Sequence, residues 1–322
     1  MSETLETVLL LALPASGKSE VRRYLNHLTP EQRSGDFHLG PTVQLDDFPY
    51  VHMMRRIDDE LLALEQPRIY FEASDKSFID RRDWGTLIQL LNEDHADLLN
   101  KHIASPTSTA YLLFDRLERA SAAVGIGPRI EPIDAGIKQK VADKIEEEAA
   151  ELLATKHAGY VDSLDGKTLV VEFARGGPDG SSMPLASPHG YQYSLGQLSE
   201  ALLSRASIAY IWVTPEESRR KNEARTDPND PGSILHHGVP IDVMLGEYGC
   251  DDIDWLLERS EKPGTVTVEA HGKKFHLPIG RFDNREDKTS FLRAEANDWD
   301  KADVDAVHAG LKSAFDAIVS AR

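Results

Sequence analysis

The 322-residue chain carries 36 lysines and arginines against 54 aspartates and glutamates, which gives a formal net charge of −18. Its 40% hydrophobic and 28% charged content is typical of a folded globular protein and excludes an intrinsically disordered chain. The acidic excess argues against non-specific nucleic-acid binding and against adsorption to anionic membranes, because both surfaces repel negative charge. An anionic ligand therefore needs a local binding site.

The single cysteine, Cys250, excludes an internal disulfide, and no cluster of cysteine and histidine has the spacing of structural zinc. The apolar run 8–15 is far shorter than the roughly 20 residues of a membrane span. Glu3 and Glu6 stand where a signal peptide is basic. We therefore expect a reduced thiol and a cytoplasmic protein.

The first predicted element is a strand over 8–13, an unbroken aliphatic run that is too short for a helix. A small-residue loop at 14–17 separates it from a helix over 18–28, whose apolar residues recur at helical spacing. Residues 43–45 form a second short strand, which ends at two aspartates. The chain therefore opens as strand, loop, helix and strand.

Residues 48–158 are predicted to be mostly helical because apolar residues recur every three or four positions, with a loop at 128–132. Strand patterns return at 168–173 and 208–213, and a helix is predicted over 195–203 between them.

A further helix begins with Thr214 as N-cap, Pro215 at the first position and Glu217 completing a capping box. The remaining predicted elements are a β-hairpin with strands over 265–268 and 275–279 and a final helix over 302–319.

Strands that alternate with helices predict one α/β domain over 1–322, with a parallel sheet between layers of helices. Two segments extend this core. Residues 48–160 form a long helical insertion, and residues 214–275 form a lid together with a hairpin insertion.

The clearest motif is ALPASGKS at 12–19, which matches G-x-x-x-x-G-K-[ST] with Ala12 in place of the first glycine. Its small residues allow backbone N–H groups to surround phosphates at the start of a helix. In this motif Lys18 pairs with the β- and γ-phosphates, and the Ser19 hydroxyl ligates Mg²⁺. The alternative is an ordinary strand-to-helix turn with a surface lysine. The predicted nucleotide-binding residues are Pro14, Ala15, Ser16, Gly17, Lys18, Ser19 and Glu20.

This loop resembles that of the P-loop kinases of small molecules, the group that includes adenylate, shikimate and zeta-toxin-like kinases. The resemblance covers mainly residues 7–56 and 166–226. It implies a P-loop NTPase three-layer sandwich that uses ATP and Mg²⁺ to phosphorylate a hydroxyl of a small molecule. By analogy of position, the adenine pocket is expected near residues 280–284.

Asp46 and Asp47 follow the second predicted strand, at the edge where open α/β sheets bind ligands. Many of the kinases carry an aspartate there that accepts the proton of the acceptor hydroxyl or holds the metal. Adjacent side chains point in different directions, so Asp46 is the candidate base and metal ligand, and Asp47 is the alternative base or a substrate contact. Both residues also suit a turn that caps the next helix. Arg55 resembles a substrate-side arginine, although a solvated helix face explains it equally well.

Glu172 ends an aliphatic strand, as in a Walker B sequence, and its carboxylate suits Mg²⁺. A buried strand end normally avoids an unpaired charge, which favours a functional role for this residue. Arg175 lies in the glycine-rich loop that follows. It is either a substrate clamp or a surface residue.

Related kinases carry a lid after the fourth strand whose arginines stabilise charge on the transferred phosphoryl group. Arg219 and Arg225 resemble these lid residues. Alternatively, Glu216, Glu217 and Glu223 pair with the arginines of this helix across its turns.

The leading hypothesis is therefore an ATP- and Mg²⁺-dependent kinase with a small-molecule acceptor. A second hypothesis is a nucleotide-dependent ATPase switch, in which Glu172 polarises water and the helical insertion binds a protein partner. A third, raised by Ala12, is a degenerate P-loop protein that binds nucleotide without chemistry. The chain lacks N-K-x-D and G-x-G-x-x-G, which argues against a conventional GTPase and a Rossmann dehydrogenase.

Overall fold

The computed structural model describes residues 4–225 and 238–322. The strands within these ranges form one six-stranded sheet. The strands are β1 (Thr7–Leu11), β2 (Thr42–Asp46), β3 (Thr168–Phe173), β4 (Ala206–Trp212), β5 (Thr265–Ala270) and β6 (Lys273–Asp283). Their order is β2-β3-β1-β4-β6-β5, and every neighbouring pair is parallel except β5 with β6. The predicted α/β fold with a largely parallel sheet is confirmed.

Helices surround this sheet. They are α1 (Lys18–His27), α2 (Pro30–Phe37), α3 (Phe48–Ala63), α4 (Asp83–Asn100), α5 (Thr109–Ala123), α6 (Ala135–Ala158), α7 (Gly190–Gly196), α8 (Glu200–Leu203), α9 (Pro215–Arg225), α10 (Ile241–Glu247), α11 (Ile253–Glu258) and α12 (Lys301–Ser320). Within the described ranges, no helix has the length and apolar character needed to cross a membrane.

The central strand β1 is buried along its whole length because helices cover both faces of the sheet. Val8 and Leu10 belong to the apolar cluster on the α1 and α12 side. Leu9 and Leu11, which point the opposite way, belong to the cluster on the α4 and α8 side. This two-sided burial explains the unbroken aliphatic run of the first strand.

The predicted helical insertion contains α3, α4, α5 and α6. These helices share an apolar cluster, which includes Met53, Ile57, Leu90, Phe114 and Ile145 and extends to Met244 of α10. The predicted loop at 128–132 lies between α5 and α6.

Two elements differ from the prediction. The helix expected over 195–203 is divided into α7 and α8, because the Ser199 hydroxyl accepts the Leu202 N–H and starts a new helix. The hairpin is not a separate insertion, since β6 runs beyond it and pairs in parallel with β4, with Ile279 opposite Ile208. The short helices α2, α10 and α11 were not predicted. Residues 226–237 of the predicted lid lie outside the described residues.

Candidate functional site

The loop between β1 and α1 contains two residues in the left-handed backbone region. Ala15 has φ 56° and Gly17, the N-cap of α1, has φ 103°. Such values are readily adopted by glycine and are uncommon for alanine. The backbone therefore turns sharply at the end of the central strand and enters α1 at Lys18.

Four carbonyl groups of this loop accept hydrogen bonds from protein side chains. The pairs are Tyr191 Oη to Ala12 O (2.9 Å), Ser16 Oγ to Leu13 O (2.6 Å), Ser218 Oγ to Pro14 O (2.7 Å) and Asn284 Nδ2 to Ser16 O (2.8 Å). By contrast, no acceptor among the described residues meets the backbone N–H groups of residues 15–19. The protein thus occupies the carbonyl groups and leaves successive N–H groups available to an anion.

Lys18 lies beside Glu172, the second-last residue of β3. Its Nζ is 3.9 Å from Glu172 Oε1, and Arg22 Nη1 is 2.8 Å from Glu172 Oε2. Glu172 is only 8% exposed, so the two cations compensate a charge that has little access to water. Arg22 was missed from the sequence, although its position four residues after Lys18 places both on one face of α1.

Asp46 is held next to Glu172 by strand register, because the two residues are partners at the ends of β2 and β3. Its carboxylate accepts one hydrogen bond, from the Phe48 N–H at 2.9 Å. Burial and the neighbouring carboxylates of Glu172 and Asp47 raise the pKa of Asp46 to about 7. An acid with a pKa near neutrality can gain and lose a proton under physiological conditions, which suits a general base.

Asp47 is buried and faces a different partner. Its Oδ2 is 2.7 Å from Arg175 Nη1, an ion pair without aligned hydrogen-bond geometry. Burial raises the pKa of Asp47, and the positive charge of Arg175 opposes that rise. The two adjacent aspartates therefore have separate environments, in agreement with their expected directions.

Arg175 is 2% exposed, so the interpretation as a surface loop residue is wrong. Its guanidinium donates to Ser194 Oγ, to the Ala174 carbonyl and to the Trp84 carbonyl. These bonds connect β3, α4 and α7. Arg175 thus fixes Asp47 and the start of the glycine-rich loop.

The predicted metal ligands Ser19, Asp46 and Glu172 lie at the same edge of the sheet. Two carboxylates and a hydroxyl suit Mg²⁺, which prefers oxygen ligands and keeps several waters and phosphate oxygens in its shell. In 4–225 and 238–322, this edge included, no group of three acidic, histidine or cysteine side chains is arranged to hold a metal ion. The protein groups at this edge are of the chemical type that Mg²⁺ takes, and they would need further oxygen ligands to complete its shell.

The helix α9 begins as predicted, since Thr214 Oγ1 accepts the Glu217 N–H at 3.2 Å. Arg219 Nη2 lies 3.3 Å from Glu216 Oε1, the pair expected across one helix turn. Arg219 Nη1 is buried without an aligned hydrogen-bond partner in the described part of the chain, and it lies 3.9 Å from Asp179 Oδ1. Arg219 Nη1 therefore has an ion-pair contact and no aligned hydrogen bond within the described residues. Arg225 ends α9, and its side chain lies outside the described residues.

Two predicted residues are not part of the cluster formed by Lys18, Asp46 and Glu172. Arg55 donates to the Ser74 carbonyl at 2.9 Å and lies over the Phe71 ring, so it is held within the insertion. Glu20 pairs with Arg293 Nε at 2.6 Å.

The fold and the site define an α/β protein with a mixed, mostly parallel six-stranded sheet and a polar cluster where β1, β2 and β3 end. Comparison with protein-family models, with curated proteins and with solved structures finds no match for this chain.

Proposed function

We propose that the protein is a P-loop kinase that transfers the γ-phosphoryl group of ATP, as its Mg²⁺ complex, to a hydroxyl of a small molecule. The observation that carries this proposal is the loop at 12–19, in which the N–H groups of residues 15–19 meet no acceptor among the described residues and the Lys18 side chain adds a positive charge. An anion-binding loop at a helix start, next to a carboxylate pair, is the combination that phosphoryl transfer needs.

Strand order supports the same proposal. Because β1 lies between β3 and β4, the loop after β1 is flanked by Glu172 on one side and by α9 on the other. Because β2 pairs with β3, Asp46 comes next to Glu172. Open α/β sheets bind ligands at this carboxyl edge.

In the proposed reaction the N–H groups of the loop and the Lys18 ammonium bind the phosphates. Ser19 and Glu172 would hold Mg²⁺, which would supply neutralising charge to the phosphates, and Asp46 is then left to act as the base. Asp46 accepts the proton of the acceptor hydroxyl while that oxygen bonds to the γ-phosphorus and the bond from the γ-phosphorus to the bridging oxygen breaks, so that ADP leaves. Arg219 is positioned to add positive charge at the transferred group.

The experiment is a thermal-shift titration with Mg-ATP on the parent, on Lys18→Ala and on the matched control Lys144→Ala. Lys144 is an exposed lysine on α6. The parent and the control should gain melting temperature, since a ligand that binds only the folded state stabilises it. Lys18→Ala should show no gain. A shift in Lys18→Ala equal to that of the parent would contradict the phosphate-binding role.

An acceptor screen under Mg-ATP then tests the transfer step. A kinase releases ADP in proportion to a phosphorylated acceptor and is nearly inactive without one. Steady ATP hydrolysis in the absence of acceptor would instead favour the switch hypothesis, and binding without any turnover would favour the degenerate one.

A further inference from the structure

A buried polar cluster lies directly behind the phosphate loop. It consists of Lys221 on α9 together with Asn284, Asp287 and Thr289 on the segment after β6. Lys221 is 1% exposed, and Asn284 and Thr289 are fully buried. The reaction proposed above uses none of these side chains, although burying so many polar groups costs free energy unless each is paired.

Thr289 is the centre of this cluster. Its Oγ1 accepts hydrogen bonds from Lys221 Nζ at 3.0 Å and from Asn284 Nδ2 at 2.9 Å. The same Asn284 nitrogen donates to the Ser16 carbonyl of the loop at 2.8 Å. A continuous chain of hydrogen bonds therefore connects α9 to the phosphate loop through Thr289.

Lys221 does not act as a free positive charge. Its Nζ is 2.7 Å from Asp287 Oδ1. Although burial alone would raise the pKa of Asp287, hydrogen bonds from Lys221 and Ser290 hold it well below its usual value. Asp287 therefore stays ionised and neutralises Lys221, so the cluster affects the loop through geometry.

Gly17 of the loop also packs closely against Thr289 and Asn284 of the cluster. A side chain at Gly17 would place its Cβ 2.5 Å from Thr289 Oγ1 and 3.0 Å from Asn284 Nδ2. Gly17 also has φ 103°. The turn that ends the loop thus rests directly on the cluster, and the absence of a side chain there is required by both space and backbone conformation.

The helix α9 reaches the loop by a second route. Ser218 Oγ donates to the Pro14 carbonyl at 2.7 Å. Arg219 lies between Ser218 and Lys221 in the sequence, and both of these neighbours are fixed to the loop or to its support. The position of Arg219 relative to the phosphate loop is therefore set by contacts on both sides of it.

We propose that the Thr289-centred cluster is a positioning device, which holds the N–H groups of residues 15–19 in an anion-binding arrangement and fixes α9 relative to them. The effect on nucleotide affinity rests on the proposed function, whereas the effect on loop order does not. A loop that is ordered before binding loses less conformational freedom when the ligand arrives, so this support should increase affinity for Mg-ATP.

The test compares Thr289→Val with Thr289→Ser. Valine keeps the shape and removes the hydroxyl, whereas serine keeps the hydroxyl. In Thr289→Val, the Val21 amide, which donates to the Gly17 carbonyl of the loop at 2.9 Å, should exchange its hydrogen at least about 10-fold faster than in the parent. Exchange of this amide is called loop exchange below. Thr289→Val should also bind Mg-ATP about 10-fold more weakly than the parent. Thr289→Ser should restore both values to within about 3-fold of the parent. Hydrogen exchange followed by mass spectrometry and calorimetric titration provide the two measurements.

The matched control is Thr265→Val, at a buried threonine on β5 whose hydroxyl donates to the Lys262 carbonyl. It should lower the melting temperature and leave loop exchange and Mg-ATP affinity unchanged. Parental exchange of the Val21 amide in Thr289→Val would overturn the positioning role. So would a control that loosens the loop equally, because the effect would then be general destabilisation.

If Thr289→Val does not fold, Ser218→Ala tests the second connection with a smaller change. It should speed loop exchange about 3-fold, and exchange equal to the parent would count against the proposal. A parent that fails to bind Mg-ATP would contradict the proposed function alone, since loop exchange in the variants would still decide whether the cluster orders the loop.

Discussion

Buried carboxylates occur in two regions of this protein, the helical insertion and the edge of the sheet, and their partners differ. In the insertion, Asp58 accepts hydrogen bonds from the backbone N–H groups of Ile69, Tyr70 and Phe71. The two carboxylate oxygens of Asp83 accept hydrogen bonds from Nη1 and Nη2 of Arg129, at 2.6 and 2.7 Å. These charges are matched by fixed donors, as expected for groups whose role is structural.

At the edge of the sheet, hydrogen-bond donors and cations compensate the carboxylates only in part. Asp46 has one hydrogen bond and lies beside Glu172, another carboxylate. Lys18 and Arg22 compensate Glu172, whereas Asp46 has no ion-pair partner among the described residues. Asp46 is therefore the carboxylate that is left able to bind a proton or a cation. The comparison teaches that the number and kind of partners distinguish a fully compensated carboxylate from one that can still bind a proton or a cation, and that burial alone does not.

The largest effect on stability is expected when the cation that compensates Asp83 in the helical insertion is removed. Arg129→Met should destabilise the protein by about 3–5 kcal/mol, because it leaves Asp83 buried without its cation. Denaturant unfolding measures this loss. The control Arg119→Met removes an exposed arginine 3.5 Å from Glu93 and should change stability by less than about 1 kcal/mol. Equal losses in the two variants would contradict the structural role of the Asp83 pair.

At the sheet edge the same kind of change should affect activity and spare the fold. Asp46→Asn is expected to lower turnover by at least about 100-fold, the usual range for loss of a general base, while Mg-ATP still binds. Steady-state kinetics with the acceptor found in the screen measure the loss. Asp47→Asn is the matched control. Near-normal turnover in Asp46→Asn would transfer the role to Asp47 or remove it.

The pKa of Asp46 predicts opposite pH trends for activity and stability. Since the base must be ionised, kcat/KM should rise with pH and level off above about 7. The folded state holds this proton more tightly than the unfolded chain, in which an aspartate pKa is about 4. Stability should therefore fall as pH rises from about 4 to about 7, where the contribution of Asp46 is lost. In Asp46→Asn, the free energy of unfolding, measured with denaturant, should fall less steeply with rising pH than in the parent. An unchanged slope in that variant would assign the trend to other groups.

The smallest effect is expected at Arg219, whose Nη2 pairs with Glu216 and whose Nη1 lies 3.9 Å from Asp179 without an aligned hydrogen bond among the described residues. Arg219→Ala should lower kcat about 10-fold if Nη1 reaches the phosphoryl group, a modest share of what such arginines contribute. The control Arg205→Ala removes an exposed arginine that pairs with Glu6 and should have no effect. Turnover in Arg219→Ala equal to that of the control would favour the surface-pair interpretation.

Local sequence signals were sufficient for the first strand and the loop after it. An aliphatic run, a small-residue loop and a helix in direct succession involve only neighbouring residues, so the sequence by itself determined β1, the loop and α1. The start of α9 could also be predicted from the sequence, because Thr214 and Glu217 interact within one helix turn.

Tertiary structure decided the contacts between distant segments. Glu172 meets Arg22 from 150 positions earlier in the chain, and Ser16 meets Asn284 across 268 positions. In the sequence, Arg175 stands in a glycine-rich loop, where an arginine is usually on the surface. Packing against α4 and α7 nevertheless buries it. The hairpin followed local alternation, whereas the entry of β6 into the main sheet depended on pairing with β4.

The physical reason is the range of the interactions. Backbone propensity, capping and hydrophobic periodicity act over a few residues and leave a trace in the sequence. Strand register, burial of a charge and the partners of a buried polar group depend on which segments meet in space. The sequence therefore determined where the loop at 12–19 lies, and only the folded chain decided which side chains support it and compensate the charges around it.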